Sequence, residues 1–248
     1  MSEFKLQDHI PVGWNLNLYP NAGEASGFFV PTQRPKTNST FTKNPESERS
    51  NIEASRRAKS KVRRYCAENK LNRLGTLTYA GEGCHDQAQI RNDLSLFFKR
   101  LKSESKKDFP YVWVPEWHKT GHGLHAHFAV GKYIPVNTIK EAWGNGFVHI
   151  KLLTGLPVGS GTLEESRLAA NYLGKYVSKS FLDSYRIAGK HRYDLAQGFS
   201  PKIFRLHAKS KIEIIQLAVD QMKSEPKYSW FSESEEVWPA SPAFWIAW

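Results

Sequence analysis

Hydrophobic and polar residues alternate in several short runs of this chain, and longer runs with an apolar residue every three or four positions lie between them. The short runs predict β-strands and the longer ones amphipathic helices. The predicted strands are Trp14–Leu18, Gly27–Pro31, Leu74–Tyr79, Tyr111–His118, Leu124–Val130, Gly146–Leu152 and Ile203–His207. The predicted helices are Glu48–Asn69, Asp86–Leu101, Val136–Trp143, Leu163–Leu182 and Ser210–Met222.

The composition changes towards both ends of the chain. Residues 1–47 contain two predicted strands, which we expect to pair, and a linker from Thr32 to Ser47 that is rich in Ser, Thr, Asn and Pro. Beyond Pro226, aromatic residues alternate with glutamates and prolines, which argues against a regular element. We therefore predict an N-terminal extension and linker at 1–47, a main domain at 48–223 and an irregular aromatic and acidic tail at 224–248 that packs over it.

The charge of the chain points to a polyanionic partner. Its 35 Lys and Arg residues outnumber 24 Asp and Glu residues, which gives a formal net charge of +11. Such an excess is typical of nucleic-acid binders, although it identifies no reaction. Six basic residues crowd the predicted helix at 48–69, where a solvated surface helix is the alternative to a DNA-phosphate contact. They are Arg56, Arg57, Lys59, Lys61, Arg63 and Arg64.

Two further features of the composition exclude whole classes of protein. The first ten residues are too polar for a secretory signal and no apolar run approaches the length of a membrane span, so we expect a cytoplasmic protein with no membrane partner. The only cysteines, Cys66 and Cys84, do not form a CxxC pair. A disulfide scaffold or a thiolate zinc site is therefore not expected.

The segment from Tyr111 to Val130 predicts a β-hairpin that carries a metal site. His125 and His127 lie two apart on a strand and therefore share a face. If the turn lies at 119–122, antiparallel counting sets Glu116 opposite His125. Two imidazoles and one carboxylate suit Mn²⁺ or Mg²⁺, and they would also tolerate Zn²⁺, Co²⁺ or Ni²⁺.

Other residues of the same region compete for these roles. His118 shares the predicted face of Glu116 and His122 lies in the turn, so both are alternative ligands, which we rank below the triad. Trp113, Trp117 and Trp143 are candidates for base stacking, but aromatic side chains on strands lie more often in a core, and we favour that interpretation.

The predicted helix at 163–182 carries a doubled Tyr-x-x-Lys unit. Tyr172 and Tyr176 are four residues apart, and Lys175 and Lys179 follow each by three, so all four occupy one sector of the helix. A phenol with a pKa of about 10 needs a nearby cation or metal to act as a nucleophile. In isolation the segment would be a surface helix; its coexistence with the histidine hairpin favours a catalytic role.

The order of these motifs is similar to that of HUH-type rolling-circle replication initiators. A strand at Leu74–Tyr79, then His-hydrophobic-His, then the tyrosine helix resemble the three motifs of that family, over roughly 74–179. The resemblance implies an α+β fold with a central antiparallel sheet of about five strands flanked by helices. It also implies that Glu116, His125 and His127 bind the metal and that Tyr172 or Tyr176 is the nucleophile.

By this resemblance we expect a plasmid or phage initiator that nicks and rejoins single-stranded origin DNA through a 5′-phosphotyrosine. The doubled tyrosine resembles initiators of small single-stranded DNA phages, whereas many plasmid initiators use one tyrosine. No GxxxxGK[ST] motif occurs, so unwinding would come from a host helicase, and a host polymerase would extend the strand. The expected DNA partner is a single-stranded origin or an origin hairpin.

Several alternatives are weighed on the same residues. Relaxases place their tyrosine ahead of the histidines, opposite to the order here. A cupin would need a glutamate shortly after His127, where Gly131 stands, and an amidohydrolase barrel would need repeated βα units. A tyrosine transposase of the same superfamily and, less favoured, a noncatalytic DNA-binding regulator remain open.

Overall fold

The computed structural model describes residues 11–32, 48–151, 153, 155–157, 160–182, 192–238 and 240–248. Over these residues the fold is α+β, with two antiparallel five-stranded sheets and five α-helices, as the resemblance implied. The strands are β1 Gly13–Tyr19, β2 Glu24–Val30, β3 Arg73–Tyr79, β4 Tyr111–Trp117, β5 Leu124–Val130, β6 Gly146–Lys151, β7 Asp194–Leu195, β8 Phe204–Ala208, β9 Tyr228–Phe231 and β10 Ala243–Ala247. The helices are α1 Glu48–Glu68, α2 Gln87–Ser105, α3 Val136–Trp143, α4 Thr162–Leu182 and α5 Lys211–Met222, with short 3-10 turns at Pro20–Ala22 and Ser232–Ser234.

The chain divides into two compact units with boundaries after Thr42 and after Ser200. The first unit combines the N-terminal strands with the last part of the chain. Its sheet has the strand order β8-β1-β2-β10-β9, and Leu16, Leu18, Phe244 and Ile246 pack in one core with residues of α5. The predicted pairing of the first two strands is confirmed.

The C-terminal segment is more regular than its composition suggests. The prediction of an irregular tail is wrong, because β9 and β10 pair with each other and β10 pairs with β2. Phe244 and Ile246 alternate into the core, as strand residues do. This division also differs from the three-part organisation predicted above, in which 203–223 lay in the main domain and 1–47 and 224–248 lay outside it.

The second unit contains the sheet that carries the candidate site. Its strand order is β6-β3-β5-β4-β7, and every pairing between these strands is antiparallel. Helices α2 and α3 cover one face, with Leu77, Phe97, Phe128 and Trp143 in the core below them. Helices α1 and α4 pack against the other face.

Two tryptophans considered for base stacking lie inside this second unit. Trp113 and Trp143 are buried in the core beneath α2 and α3, which agrees with the favoured interpretation, whereas Trp117 is only partly buried. Helix α2 begins where the sequence indicated, because the Asp86 side chain accepts a hydrogen bond from the Ala88 N–H. In the part of the chain that the structure describes, no helix is both long and apolar enough to cross a membrane.

Candidate metal and nucleophile site

The β4–β5 hairpin brings the three predicted ligands together. Glu116 pairs directly with His125 in the antiparallel register, as residue counting predicted. Leu124, Ala126 and Phe128 point into the core under α2 and α3. The two histidines alternate with them and therefore face α1 and α4. Gly123 precedes β5 with φ +83°, and a Cβ there would overlap the Cys84 carbonyl oxygen.

The donor atoms of this triad converge on one point. Glu116 Oε2 lies 3.0 Å from His127 Nε2 and 3.3 Å from His125 Nε2, and the two Nε2 atoms are 3.1 Å apart. The three residues form a group that could hold a metal ion, and both histidines are buried. Donors about 3 Å apart suit neighbouring ligands of a cation with bonds of about 2.0–2.2 Å. The donor set therefore fits a divalent metal, without choosing between metals.

The surroundings of the triad favour the protonation states that bind a cation. Partial burial raises the pKa of Glu116, but hydrogen bonds with His125, His127 and Lys179 outweigh burial and hold the pKa well below its usual range. Burial lowers the pKa of His127 more than contact with Glu116 raises it. At neutral pH the carboxylate is therefore charged and the His127 imidazole neutral.

The outer ring nitrogens of the two histidines differ in their contacts. His127 Nδ1 lies 3.0 Å from Thr76 Oγ1, on the neighbouring strand β3. When Nε2 is the metal donor, Nδ1 carries the hydrogen and donates it to this hydroxyl. His125 Nδ1 is buried and has no hydrogen-bond partner among the described residues.

Both predicted tyrosines lie against the triad. The Tyr176 ring stacks on the His127 ring, with centroids 3.7 Å apart and planes 21° from parallel. Tyr172 meets the same imidazole edge-on at 5.7 Å and lies 5.0 Å from Tyr176. Burial, a hydrogen bond with Tyr172 and nearby negative charge raise the pKa of Tyr176, so its phenol is protonated in this state.

The lysines around the tyrosines are arranged differently from the doubled Tyr-x-x-Lys unit. Lys179 Nζ lies 2.6 Å from Glu116 Oε1 and 5.1 Å from the centre of the Tyr176 ring, so it joins the site as predicted. Lys175 is exposed and lines a small cavity beside Tyr172. The cation over the Tyr172 ring is Lys151 of β6, at 4.7 Å.

Sequence reasoning missed Thr76 and Lys151 as members of the site. Both stand in predicted strands at positions that alternate with apolar residues, and this was their only signal. Thr76 pairs with His127 across β3 and β5, and Lys151 pairs with Leu74 across β6 and β3. The order β6-β3-β5-β4 had to be known before either residue could be placed near the triad.

The alternative histidine ligands lie beside the triad, outside the group of converging donors. His118 Nδ1 lies 2.6 Å from Thr120 Oγ1 and accepts from the Thr120 backbone N–H at 3.3 Å, so that nitrogen is engaged. Its ring centre is 5.3 Å from that of His125. His122 Nε2 lies 3.1 Å from the Tyr79 carbonyl oxygen, away from the converging donors.

The six basic residues predicted to contact DNA occupy two rows of α1. At 100° per residue, Arg56, Lys59 and Arg63 form one row, and the other row consists of Arg57, Lys61 and Arg64. Four of the six are exposed, whereas Arg63 and Arg64 are half-buried. The first row adjoins α4, because a Cβ at Gly174 would lie 3.8 Å from Lys59 Cγ.

A cavity of about 330 Å³ opens beside the triad and gives access to it. Its lining includes Glu116, Lys119, Tyr176 and Lys179. Two of these residues are cations and one is a predicted nucleophile, which suits the approach of a phosphate group.

Residues 72–181 match a family model of replication-associated proteins, the ORF2 family. This match confirms the predicted resemblance to replication initiators. The matched segment contains the metal triad and both tyrosines, whereas α1 and the whole first unit lie outside it. No curated protein and no solved structure matches the chain.

Proposed function

We propose that this protein is a rolling-circle replication initiator that nicks and rejoins single-stranded origin DNA through a 5′-phosphotyrosine intermediate. The family match supports a role in replication initiation. The observation that carries the finer proposal is the stacking of Tyr176 on His127, which sets a phenol directly beside three converging metal donors.

The reaction is a transfer of a phosphoryl ester from one oxygen to another. A tyrosine oxygen forms a bond to the scissile phosphorus, and the bond from phosphorus to the 3′-oxygen breaks. The tyrosine loses its proton, and the 3′-oxygen takes one up and leaves as a 3′-hydroxyl that can prime synthesis. The 5′-phosphate remains on tyrosine, so attack by a 3′-hydroxyl rejoins the strand.

Each residue of the site has a role in this scheme. Glu116, His125 and His127 would hold a divalent cation, Mn²⁺ or Mg²⁺, which neutralises negative charge on a nonbridging phosphate oxygen when bound. Lys179 holds Glu116 by an ion pair and stands over the Tyr176 ring. Lys151 supplies positive charge at Tyr172, and Lys175 faces solvent one turn away.

Two tyrosines at one site allow two successive transfers. Tyr172 and Tyr176 both contact the His127 ring, so each phenol is within a short movement of the same centre. One tyrosine can hold the first 5′-phosphate while the other cuts the newly made origin. The basic residues of α1 would bind flanking phosphates, and a host helicase and polymerase would supply unwinding and synthesis.

The proposal is tested by covalent capture of DNA. The protein is incubated with Mn²⁺ and single-stranded oligonucleotides that carry a random region of about 30 nucleotides, and denaturant-resistant conjugates are isolated and sequenced. We expect conjugates that chelation abolishes, and a released fragment whose 3′-hydroxyl a polymerase can extend. His125→Ala should act like chelation.

Variants of the two phenols identify the nucleophile. Tyr172→Phe and Tyr176→Phe should each retain some conjugate, whereas the double variant should form none. Tyr133→Phe, which alters an exposed tyrosine outside the site, is the matched control. A conjugate that persists in the double variant would refute both assignments. Salt-sensitive binding without any conjugate would identify a noncatalytic DNA-binding regulator instead.

A further inference from the structure

The face of the sheet that carries the triad continues onto the edge strand β6. The strand registers set Glu116 opposite His125, His125 opposite Thr78, and Thr78 opposite Phe147. These four residues therefore form one row across four strands. Adjacent strands lie about 4.8 Å apart, so the Phe147 backbone is about 10 Å from that of His125.

Phe147 is exposed although it lies close to the candidate site. Its side chain is 67% accessible, and His149, two residues along the same face, is also exposed. Lys151, the next residue on this face, is the cation over the Tyr172 ring. An aromatic ring left in water contributes little to folding, because apolar side chains stabilise a fold through the area that they bury.

We propose that Phe147 is a stacking platform for an unpaired base of the DNA strand, next to the phosphate that occupies the triad. The inference rests on the proposed function and adds how the single strand is held. Bases stack on exposed aromatic side chains whatever their sequence, and cationic groups alongside contact the backbone. His149 and Lys151 supply polar contacts along β6, between this platform and Tyr172.

The electrostatics of this strip favour a nucleic acid over a protein partner. Neither β6 nor the neighbouring strand β3 contains an acidic residue, and Arg73 and Lys151 stand at one end of the pair. Because β6 is an edge strand, a second copy of the chain could also pair with it. That occupant predicts a dimer that depends on Phe147.

Binding of a short oligothymidine, about 15 nucleotides long, tests the platform without knowledge of the origin. We expect Phe147→Ala to weaken binding about 5- to 100-fold, which corresponds to the loss of one stacked base. Phe147→Trp should bind at least as tightly as the wild type. Ile150→Ala is the matched control, because Ile150 is exposed on the other face of the same strand. Thermal denaturation should show all three variants folded, since little buried area changes.

Photocrosslinking supplies a readout that a purely structural role would not change. An oligonucleotide in which 5-iodouracil replaces thymine should crosslink to the tryptic peptide at 141–151, and Phe147→Ala should remove that crosslink. Affinity of Phe147→Ala within about twofold of the wild type would overturn the platform. So would a wild-type protein that fails to bind oligothymidine, or a Phe147-dependent dimer with unchanged DNA affinity.

The two proposals fail in different ways. If Phe147→Ala binds oligothymidine normally while tyrosine-dependent conjugates form, the platform is refuted and the nickase proposal stands. If binding depends on Phe147 and no conjugate forms under any metal condition, the nickase proposal is refuted and the platform stands.

Discussion

Replacing Thr76 by Val tests whether the second strand of the sheet prepares His127 for metal binding. The Thr76 hydroxyl lies 3.0 Å from His127 Nδ1, and His127 is only 4% exposed. When Nε2 binds a metal, Nδ1 must carry a hydrogen, and Thr76 accepts it. Valine has nearly the same shape and is well tolerated in strands, so the change removes the acceptor and little else.

The size of the effect follows from the burial of this hydrogen bond. A buried donor left without an acceptor costs about 1–3 kcal/mol. At about 1.4 kcal/mol for each factor of ten, this is a loss of roughly 5- to 150-fold in affinity. Removal of a hydrogen bond to a metal-bound histidine typically costs about 10- to 100-fold in affinity, which is the same range.

Isothermal titration of the protein with Mn²⁺ measures this loss directly. Thr76→Ser should retain most of the affinity because it keeps the hydroxyl. Thr78→Val controls for general change on the same face of β3, since Thr78 pairs with His125 across the strands. If Thr76→Val binds Mn²⁺ like the wild type while His127→Ala does not, the orienting role of Thr76 is wrong.

Two further changes test the nucleophile and the hairpin. In a variant with Tyr172 as its only nucleophile, Lys151→Met should slow conjugate formation about two- to thirtyfold, because the cation 4.7 Å from the Tyr172 ring is lost. Lys175→Met should have little effect, and equal rates for the two variants would contradict the assignment. Gly123→Ala should destabilise the protein in urea by about 2–5 kcal/mol, from left-handed backbone strain together with a clash against the Cys84 carbonyl oxygen. Gly121→Ala, with similar strain but open space around it, should cost about 1–2 kcal/mol, and equal losses would show that the clash is relieved.

The parts of the site that sequence reasoning placed correctly are local in the chain. Glu116 and His125 belong to one hairpin, so the length of its turn fixes their register. Tyr172, Tyr176 and Lys179 share one helix, whose period fixes their common face. In both cases the geometry follows from residues that are close together in the sequence.

The parts that sequence reasoning missed depend on contacts between distant segments. Thr76 is 51 residues from His127, and Lys151 reaches Tyr172 only because β6 lies at the edge next to β3. The same cause explains the tail, since β10 has its partner in β2, near the other end of the chain. Alternation predicts that a segment is a strand, but it does not predict which strand lies beside it.

The separation of packing and binding residues on α1 bears on how these experiments can be interpreted. Ala58, Val62 and Tyr65 bury one face of α1 in the core that also contains Leu173 and Val177 of α4. Helix α1 therefore holds the tyrosine helix in place, while its basic residues lie away from that face. Because the ligands are on the sheet and the phenols on α4, a change in this core would alter the distance between nucleophile and metal donors without touching either. Changes to exposed basic residues leave the core intact, so a loss of activity from them reports on DNA contact rather than on the geometry of the site.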